Sequence, residues 1–237
     1  MYEHRIGQIR VNDKSFEIAV SNRNTSAIYN EKTAQILFSD EPDSKVKLTD
    51  DMINNEVGDI ININRRDYKI EFINIRGKQI VLGDLGENDD PIGLKIGYRA
   101  PLITGHDIDG NYFNLENLRG KYVLLDFWGT WCGPCIAEIP NLKYVYEKFS
   151  EESFEIVSVA FDSDISNVKT FISEQKMPWF HLFQDRKDQS KTCPTVKYKV
   201  DSFPSTYLIC PEGRIIAKKL RGENLEKELS KYLNISS

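Results

Sequence analysis

Apolar and polar positions alternate along the first part of the chain, in "KSFEIAV" (14–20), "DIININ" (59–64) and "YKIEFINI" (68–75). "KQIVLGDL" (78–85) follows closely on "IRG". A period of two puts successive side chains on opposite faces of an extended chain, so these runs predict strands with turn residues between them. "FINIRGKQIVL" predicts a hairpin about Arg76-Gly77-Lys78, and the polar stretch "FSDEPDSKVKLTDDMINNE" (38–56) leaves room for one helical turn. Residues 1–97 read as a small β-rich domain. "GENDDPIGLKIGYRAP" (86–101), charged and then punctuated by Gly and Pro, reads as the hinge.

Beyond the hinge the pattern changes. "GNYFNLENLRGK" (110–121) predicts a short strand or turn and a brief helix. "YVLLDFWG" (122–129) is a near-continuous apolar run, as in a central strand buried on both faces. In "PCIAEIPNLKYVYEKF" (134–149) Ile139, Leu142, Val145, Tyr146 and Phe149 recur at three and four, the period of a helix with one buried face. "FEIVSVAF" (154–161) is a second buried strand, and "SDISNVKTFISEQK" (163–176) a helix turning Val168, Phe171 and Ile172 inward. "PSTYLICP" (204–211) and "GRIIAKKLRG" (213–222) form strands around a Pro-Glu-Gly turn, and "NLEKELSKYL" (224–233) closes as an amphipathic helix. Residues 98–237 are therefore expected to be an α/β domain, a mixed central sheet flanked by helices.

Composition narrows the function classes. Charged residues are 28% and hydrophobic ones 40% of the 237 residues, which is globular rather than disordered. A net charge of −5 with no long basic run argues against nucleic-acid binding. No apolar run reaches the ~20 residues that a membrane-spanning helix needs. "MYEHRIGQIRV" does not read as a signal peptide, although a chain trimmed of its leader would look the same. No G-x-G-x-x-G arrangement is present, so direct NAD(P)H binding is not expected and electrons come from another protein or a small thiol.

Chemistry concentrates in "WGTWCGPCIAEIP" (128–140). A structural zinc takes four ligands. Cys193 and Cys210 are single and His106 and His181 isolated, so neither metal nor cofactor is expected. A purely structural disulfide over so short a loop constrains little of the unfolded chain. The remaining reading is a redox couple. Cys132 and Cys135 stand where a buried strand hands over to a helix, and free N–H groups at a helix start favour a thiolate at Cys132. Pro134 fits a first-turn position because it needs no donor there. The pattern calls for an exposed attacking sulfur at Cys132 and a resolving sulfur at Cys135, one turn on.

Two carboxylates accompany the pair. Asp126 stands in an apolar strand six residues before Cys132. Buried, it holds its proton and can take one from the Cys135 thiol; at a sheet edge it does neither. Glu138, three residues after Cys135, shares a helical face with it or meets solvent. If both approach the cysteines, their titrations couple. Trp128 is expected to pack under the loop and Trp131 to lie exposed beside Cys132. Pro140 is expected to bend the helix, and Ser163 or Asp164 to cap the next one. Cys193 and Cys210 are expected to stay unpaired, mostly as small buried apolar groups. His106 and His181 have no visible catalytic partner.

"VLLDFWGTWCGPC" (123–135) closely resembles the active-site segment of thioredoxin, and residues 98–235 resemble thiol–disulfide oxidoreductases of the TlpA/ResA type. The long stretch between "VSVAF" (157–161) and "DSFPSTYLI" (201–209) favours that branch. Residues 1–97 are similar to the β-rich leader domain that precedes such modules in Bacteroidetes proteins. The resemblance implies a thioredoxin-like fold and a dithiol–disulfide couple acting on protein disulfides. It makes Asp126 and Glu138 the proton-handling carboxylates, and Pro204 a cis proline facing the cysteines. Trp131, Gly133, Pro134, Phe203 and Pro204 then meet the substrate, with Phe203 a departure from the smaller residues usual there. It also implies a periplasmic or membrane-tethered location. Two other readings stand beside it. In a thiol peroxidase, Cys132 would need a hydroxyl and an arginine around it, and no arginine is close in sequence. In a partner-binding module, the N-terminal domain would dominate.

Overall fold

The computed structural model describes residues 3–11, 14–22, 34–38, 55–73, 80–150 and 153–233. They fall into two compact units, Met1–Pro91 and Ile92–Ser237. The division comes before residue 97 because the hinge is tied into the second unit. The Gly93 amide donates to the Arg99 carbonyl at 2.9 Å and the Gly97 amide to the Ile215 carbonyl at 2.8 Å.

The first unit is two three-stranded antiparallel sheets. One has the order β1 (Glu3–Val11), β2 (Lys14–Asn22), β3 (Ala34–Phe38), and the other β4 (Ile60–Ile63), β5 (Arg66–Ile73), β6 (Ile80–Glu87). Period-two alternation supplies the core. Phe16, Val20 and Ile36 from one sheet and Ile61, Ile63, Tyr68, Ile70 and Ile73 from the other form a single buried cluster. β4 and β5 are joined through Asn64 and Arg65, both at positive φ (51° and 62°), the backbone of a tight hairpin. β1 and β3 are additions to the strands the alternation predicts. β1 alternates poorly, with Ile6 exposed at the sheet edge. The connection at 76–78 and most of the 38–56 excursion lie outside the described residues, although β5 and β6 pair antiparallel as a hairpin requires.

The second unit carries a short hairpin, β7 (Thr104–His106) with β8 (Tyr112–Asn114), and then a 3-10 turn at Leu115–Leu118. Its five-stranded sheet is built from β9 (Tyr122–Trp128), β10 (Phe154–Asp162), β11 (Phe180–Asp185), β12 (Ser205–Ile209) and β13 (Ile215–Lys218). The order is β11-β10-β9-β12-β13. The first three strands are parallel, while β12 runs antiparallel to β9 and β13 antiparallel to β12. This is the mixed sheet expected, with one strand more. β11 escapes the hydrophobic pattern because His181 and Gln184 interrupt it, yet both are buried. Gln184 is held by a reciprocal pair with Thr195, whose hydroxyl accepts at 2.7 Å and whose amide donates at 3.0 Å.

Helices α1 (Gly133–Phe149), α2 (Ile165–Gln175), α3 (Pro194–Lys197) and α4 (Glu223–Leu229) complete the unit. α1 runs unbroken through Pro140 and buries Ile139, Leu142, Val145 and Phe149. Val168 and Ile172 of α2 and Leu225 and Leu229 of α4 join the same cluster, as do Leu124, Trp128, Ile156 and Leu208 from the sheet. Each such side chain contributes about 1.5–3 kcal/mol when fully buried. Asp164 caps α2 by accepting from the Ser166 amide at 2.8 Å. Gly213 (φ 83°) closes the turn between β12 and β13, its amide donating to the Cys210 carbonyl at 2.8 Å. Among the described residues no helix is long and apolar enough to cross a membrane.

Candidate active site

β9 ends at Trp128 and α1 begins at Gly133, and in the turn between them Cys132 is the helix N-cap. Its sulfur is bonded to that of Cys135 and also accepts from the Cys135 amide at 3.2 Å. When the pair is reduced, that amide and the positive end of α1 stabilise a Cys132 thiolate. The expectation of an exposed Cys132 needs correction: the residue is only 4% exposed. The disulfide draws both sulfurs into the cluster that holds Leu124 and Trp128, and Phe203 packs against it.

Asp126 is buried between Leu124 and Trp128, and period two puts all three on the face that α1 covers. Three neighbouring strands form a polar row there, Thr206 beside Asp126 and Asp126 beside Ser158. The Ser158 hydroxyl donates to Asp126 Oδ2 at 3.2 Å and accepts from Trp179 Nε1 at 2.8 Å. Burial pushes the Asp126 pKa up to about 7. The Ser158 hydrogen bond opposes the rise, the Glu138 carboxylate adds to it, and the Arg221 charge opposes it. Glu138 is half-buried rather than free in solvent. It accepts from the Gly222 amide at 2.6 Å and from Asn141 Nδ2 at 2.7 Å, which fixes the loop ahead of α4 to α1.

The Phe203–Pro204 bond is cis. The Pro204 carbonyl accepts from the Arg221 guanidinium. Among the described residues the Phe203 backbone N–H and C=O make no hydrogen bond. Trp131 is exposed and Trp128 buried against Phe171, as expected. Trp131 meets Phe203 edge-on at 5.4 Å, and Phe203 stacks on Phe161 at 5.3 Å. The Arg186 guanidinium lies over the Trp131 ring at 4.6 Å. Gly129 is needed for close approach, since a Cβ there would sit 2.5 Å from Trp131 Nε1 and 2.9 Å from the Phe161 carbonyl. Gly133 and Pro134 are exposed at the helix start.

The AhpC/TSA family matches residues 96–218, slightly over half of the chain and the whole of this site up to the β13 strand. The chain belongs to the AhpC/TSA family. Its curated relatives include the thiol-disulfide oxidoreductase ResA of Bacillus thuringiensis subsp. konkukian, 31% identical over 140 residues, 59% of this chain and 78% of that protein. ResA of Oceanobacillus iheyensis is 35% identical over 150 residues, 62% and 75% of the two chains. The thioredoxin domain of a thiol-disulfide oxidoreductase from Bacteroides vulgatus superposes with a TM-score of 0.55 at 37% identity, covering 60% of this chain and 100% of that one. A thiol:disulfide interchange protein from Bacteroides sp. gives 0.55 at 36% identity, covering 61% and 93%. This AhpC/TSA member is a thiol–disulfide oxidoreductase with a thioredoxin-like domain.

Several residues have roles in the site that the sequence pattern does not give them. Asp162 accepts from the Thr130 amide at 2.9 Å and hydroxyl at 2.7 Å, pinning the turn ahead of Cys132. Ser158, Arg221, Arg186 and Phe161 reach the site only through strand order. Ser158 had one visible signal, a lone hydroxyl inside the apolar run "FEIVSVAF". Cys193 and Cys210 are unpaired as expected, and burial raises the pKa of each. His106 is exposed against Tyr112, and His181 is buried at the far end of the sheet from β13.

Proposed function

We propose that this protein reduces disulfides in partner proteins. The carrying observation is Cys132 at the head of α1, bonded to Cys135, with Asp126 buried between Leu124 and Trp128 on the face of β9 that α1 covers. In the reduced protein the Cys132 thiolate attacks one sulfur of the partner disulfide, and the other partner sulfur leaves and takes up a proton. Asp126, ionised in part at neutral pH, accepts the Cys135 proton. The Cys135 sulfur then attacks Cys132 Sγ in the mixed disulfide and releases the second partner thiol. The partner gains two electrons and the Cys132–Cys135 pair loses them. A protein or small-thiol donor restores the dithiol. Glu138 acts on Asp126 through its charge and on the Gly222 loop through its hydrogen bond.

The partner segment docks extended on the Phe203 backbone, with Trp131, Phe203, Pro204 and the exposed Gly133-Pro134 edge around it. Trp131→Ala is expected to raise KM for a disulfide-bonded protein about tenfold, the loss of roughly 1.4 kcal/mol of aromatic contact, with kcat within twofold. Steady-state reduction with dithiothreitol as donor checks this, and a fall in kcat at constant KM would remove Trp131 from docking. The same assay with peroxide in place of the disulfide tests the peroxidase reading. Against that reading, the Thr130 hydroxyl is committed to Asp162 and Cys132 is buried. We place the protein in the periplasm or tethered to the membrane facing it, in keeping with its resemblance to the TlpA/ResA branch. The β-rich unit is an independent candidate for partner recruitment.

A further inference from the structure

The parallel strands β9, β10 and β11 end at Trp128, Asp162 and Asp185, so the segments that follow them gather at one end of the sheet. The first of these segments carries Cys132, and the third begins with Arg186. The Arg186 amide donates to the Asp162 carbonyl at 2.9 Å, and the Asp188 amide closes the turn on the Asp185 carbonyl at 2.9 Å. These bonds hold the Arg186 backbone at the redox face.

Its side chain is exposed and lies over two rings, 4.6 Å from the Trp131 centroid and 5.9 Å from that of Phe161. Both rings are themselves held. Trp131 Nε1 donates to the Phe161 carbonyl at 2.9 Å, and Phe161 stacks on Phe203. A ring attracts the charge of a guanidinium but offers no oxygen lone pair to its five N–H donors. Among the described residues those donors have neither an ion pair nor a hydrogen bond. Arg119, Arg214 and Arg221 of the same unit, by contrast, donate to Glu116, the Gly97 carbonyl and the Pro204 carbonyl. The carboxylates around Arg186 answer other donors. Asp162 accepts from Thr130 and the Ser163 amide, Asp185 from the Lys187 amide and Asp188 from the Ser190 amide.

An exposed guanidinium resting on aromatic rings, its fork unanswered, suits a carboxylate held by two parallel hydrogen bonds. Its place says whose carboxylate. Trp131 adjoins Cys132 and touches Phe203, whose backbone N–H and C=O are open. An extended partner segment on Phe203 carries the side chains next to its cysteine past Trp131. Resting on the reductive reading above, we infer that Arg186 is a specificity-determining residue that selects partner segments with an aspartate or glutamate beside the target cysteine. A lysine there meets like charge, and a glutamine lacks the charge-assisted bond. The net charge of −5 disfavours acidic partners at long range, so the preference is local to Arg186.

Three peptides test this, acetyl-Ala-Xaa-Cys-Xaa-Ala-amide with glutamate, glutamine or lysine at both Xaa positions, each activated at its cysteine as the pyridyl disulfide. The Cys132 thiolate of the reduced full chain attacks the peptide sulfur, the bond to the pyridyl sulfur breaks, and the released pyridinethione is followed by absorbance. Each rate is corrected for the Cys132→Ser background, which Cys193 and Cys210 supply, and divided by the rate of dithiothreitol on the same peptide. The glutamate peptide is expected to react about fivefold faster than the glutamine peptide and the lysine peptide slowest. The spread should shrink in ~0.5 M sodium chloride. Arg186→Gln should bring the three rates together, Arg186→Lys should keep their order with a smaller spread, and Arg186→Glu should make the lysine peptide fastest. Equal rates in the unsubstituted chain would overturn the inference and leave the reductive reading in place. So would an Arg186→Gln variant that slows all three peptides alike with their ratios kept, which would make Arg186 only a support for Trp131. Release that persists in full in Cys132→Ser would overturn the reductive reading itself, and this inference with it.

Discussion

Asp126→Asn is expected to stabilise the oxidised protein by on the order of 3 kcal/mol at pH 8 and to leave it nearly unchanged at pH 3.5. The folded-state pKa of Asp126, about 7, lies above its ordinary value of 3.8. Below 3.8 the carboxyl is protonated in both states, and its burial carries no charge penalty. Between 3.8 and 7 the unfolded chain releases a proton that the folded chain keeps, so stability falls as pH rises. Above 7 the folded protein holds a buried carboxylate and the loss is complete. Asparagine is neutral throughout and still accepts from Ser158, so it removes the loss where the loss exists. Urea unfolding at the two pH values, with the disulfide intact, measures the difference; equal effects at both would mean that the gain is not one of ionisation. The same substitution removes the proton acceptor for Cys135, and resolution of the mixed disulfide should slow by about 10²-fold. A more stable and slower protein is the combination that separates a working buried carboxylate from a structural one.

The largest effect on turnover belongs to Cys135→Ser. Cys132 can still attack, but nothing within reach resolves the mixed disulfide. A covalent complex with the partner should therefore accumulate while turnover falls at least ~10³-fold. Cys132→Ser should abolish turnover without any complex. Non-reducing electrophoresis and intact mass distinguish the two. A complex formed by Cys132→Ser and not by Cys135→Ser would reverse the assignment of attacking and resolving sulfurs. The assignment rests on position: Cys132 is the N-cap, while Cys135 is 3% exposed in the first turn of α1.

Much of this site was legible along the chain because its parts are local. The apolar run Tyr122–Trp128 delivers Cys132 to a helix start, and "CGPC" fixes the spacing of the two sulfurs. Asp126 stands out because a carboxylate in an apolar run is costly wherever the run is buried. Other residues were not legible because their roles depend on strand order. Ser158 matters only when β10 lies beside β9, and Arg221 only when the end of β13 returns to the cis-proline loop. Arg186 meets Trp131 across more than fifty residues of chain. β11 was hidden for a related reason. Its buried His181 and Gln184 look like loop residues until their partners, the Met177 carbonyl and Thr195, are in place. Cys132 is buried where the pattern describes an exposed thiolate, because the bonded pair sits within the core cluster.

The reduction potential of the Cys132–Cys135 pair tests the reductive assignment most directly, by equilibration against glutathione or dithiothreitol with thiol counting. Cys193 and Cys210 serve as a constant background of two thiols, since neither is paired. The Gly-Pro loop shared with thioredoxin predicts a single two-electron couple at about −250 mV or below. A couple near about −120 mV would make the protein an oxidant of its partners and contradict the reading proposed for it.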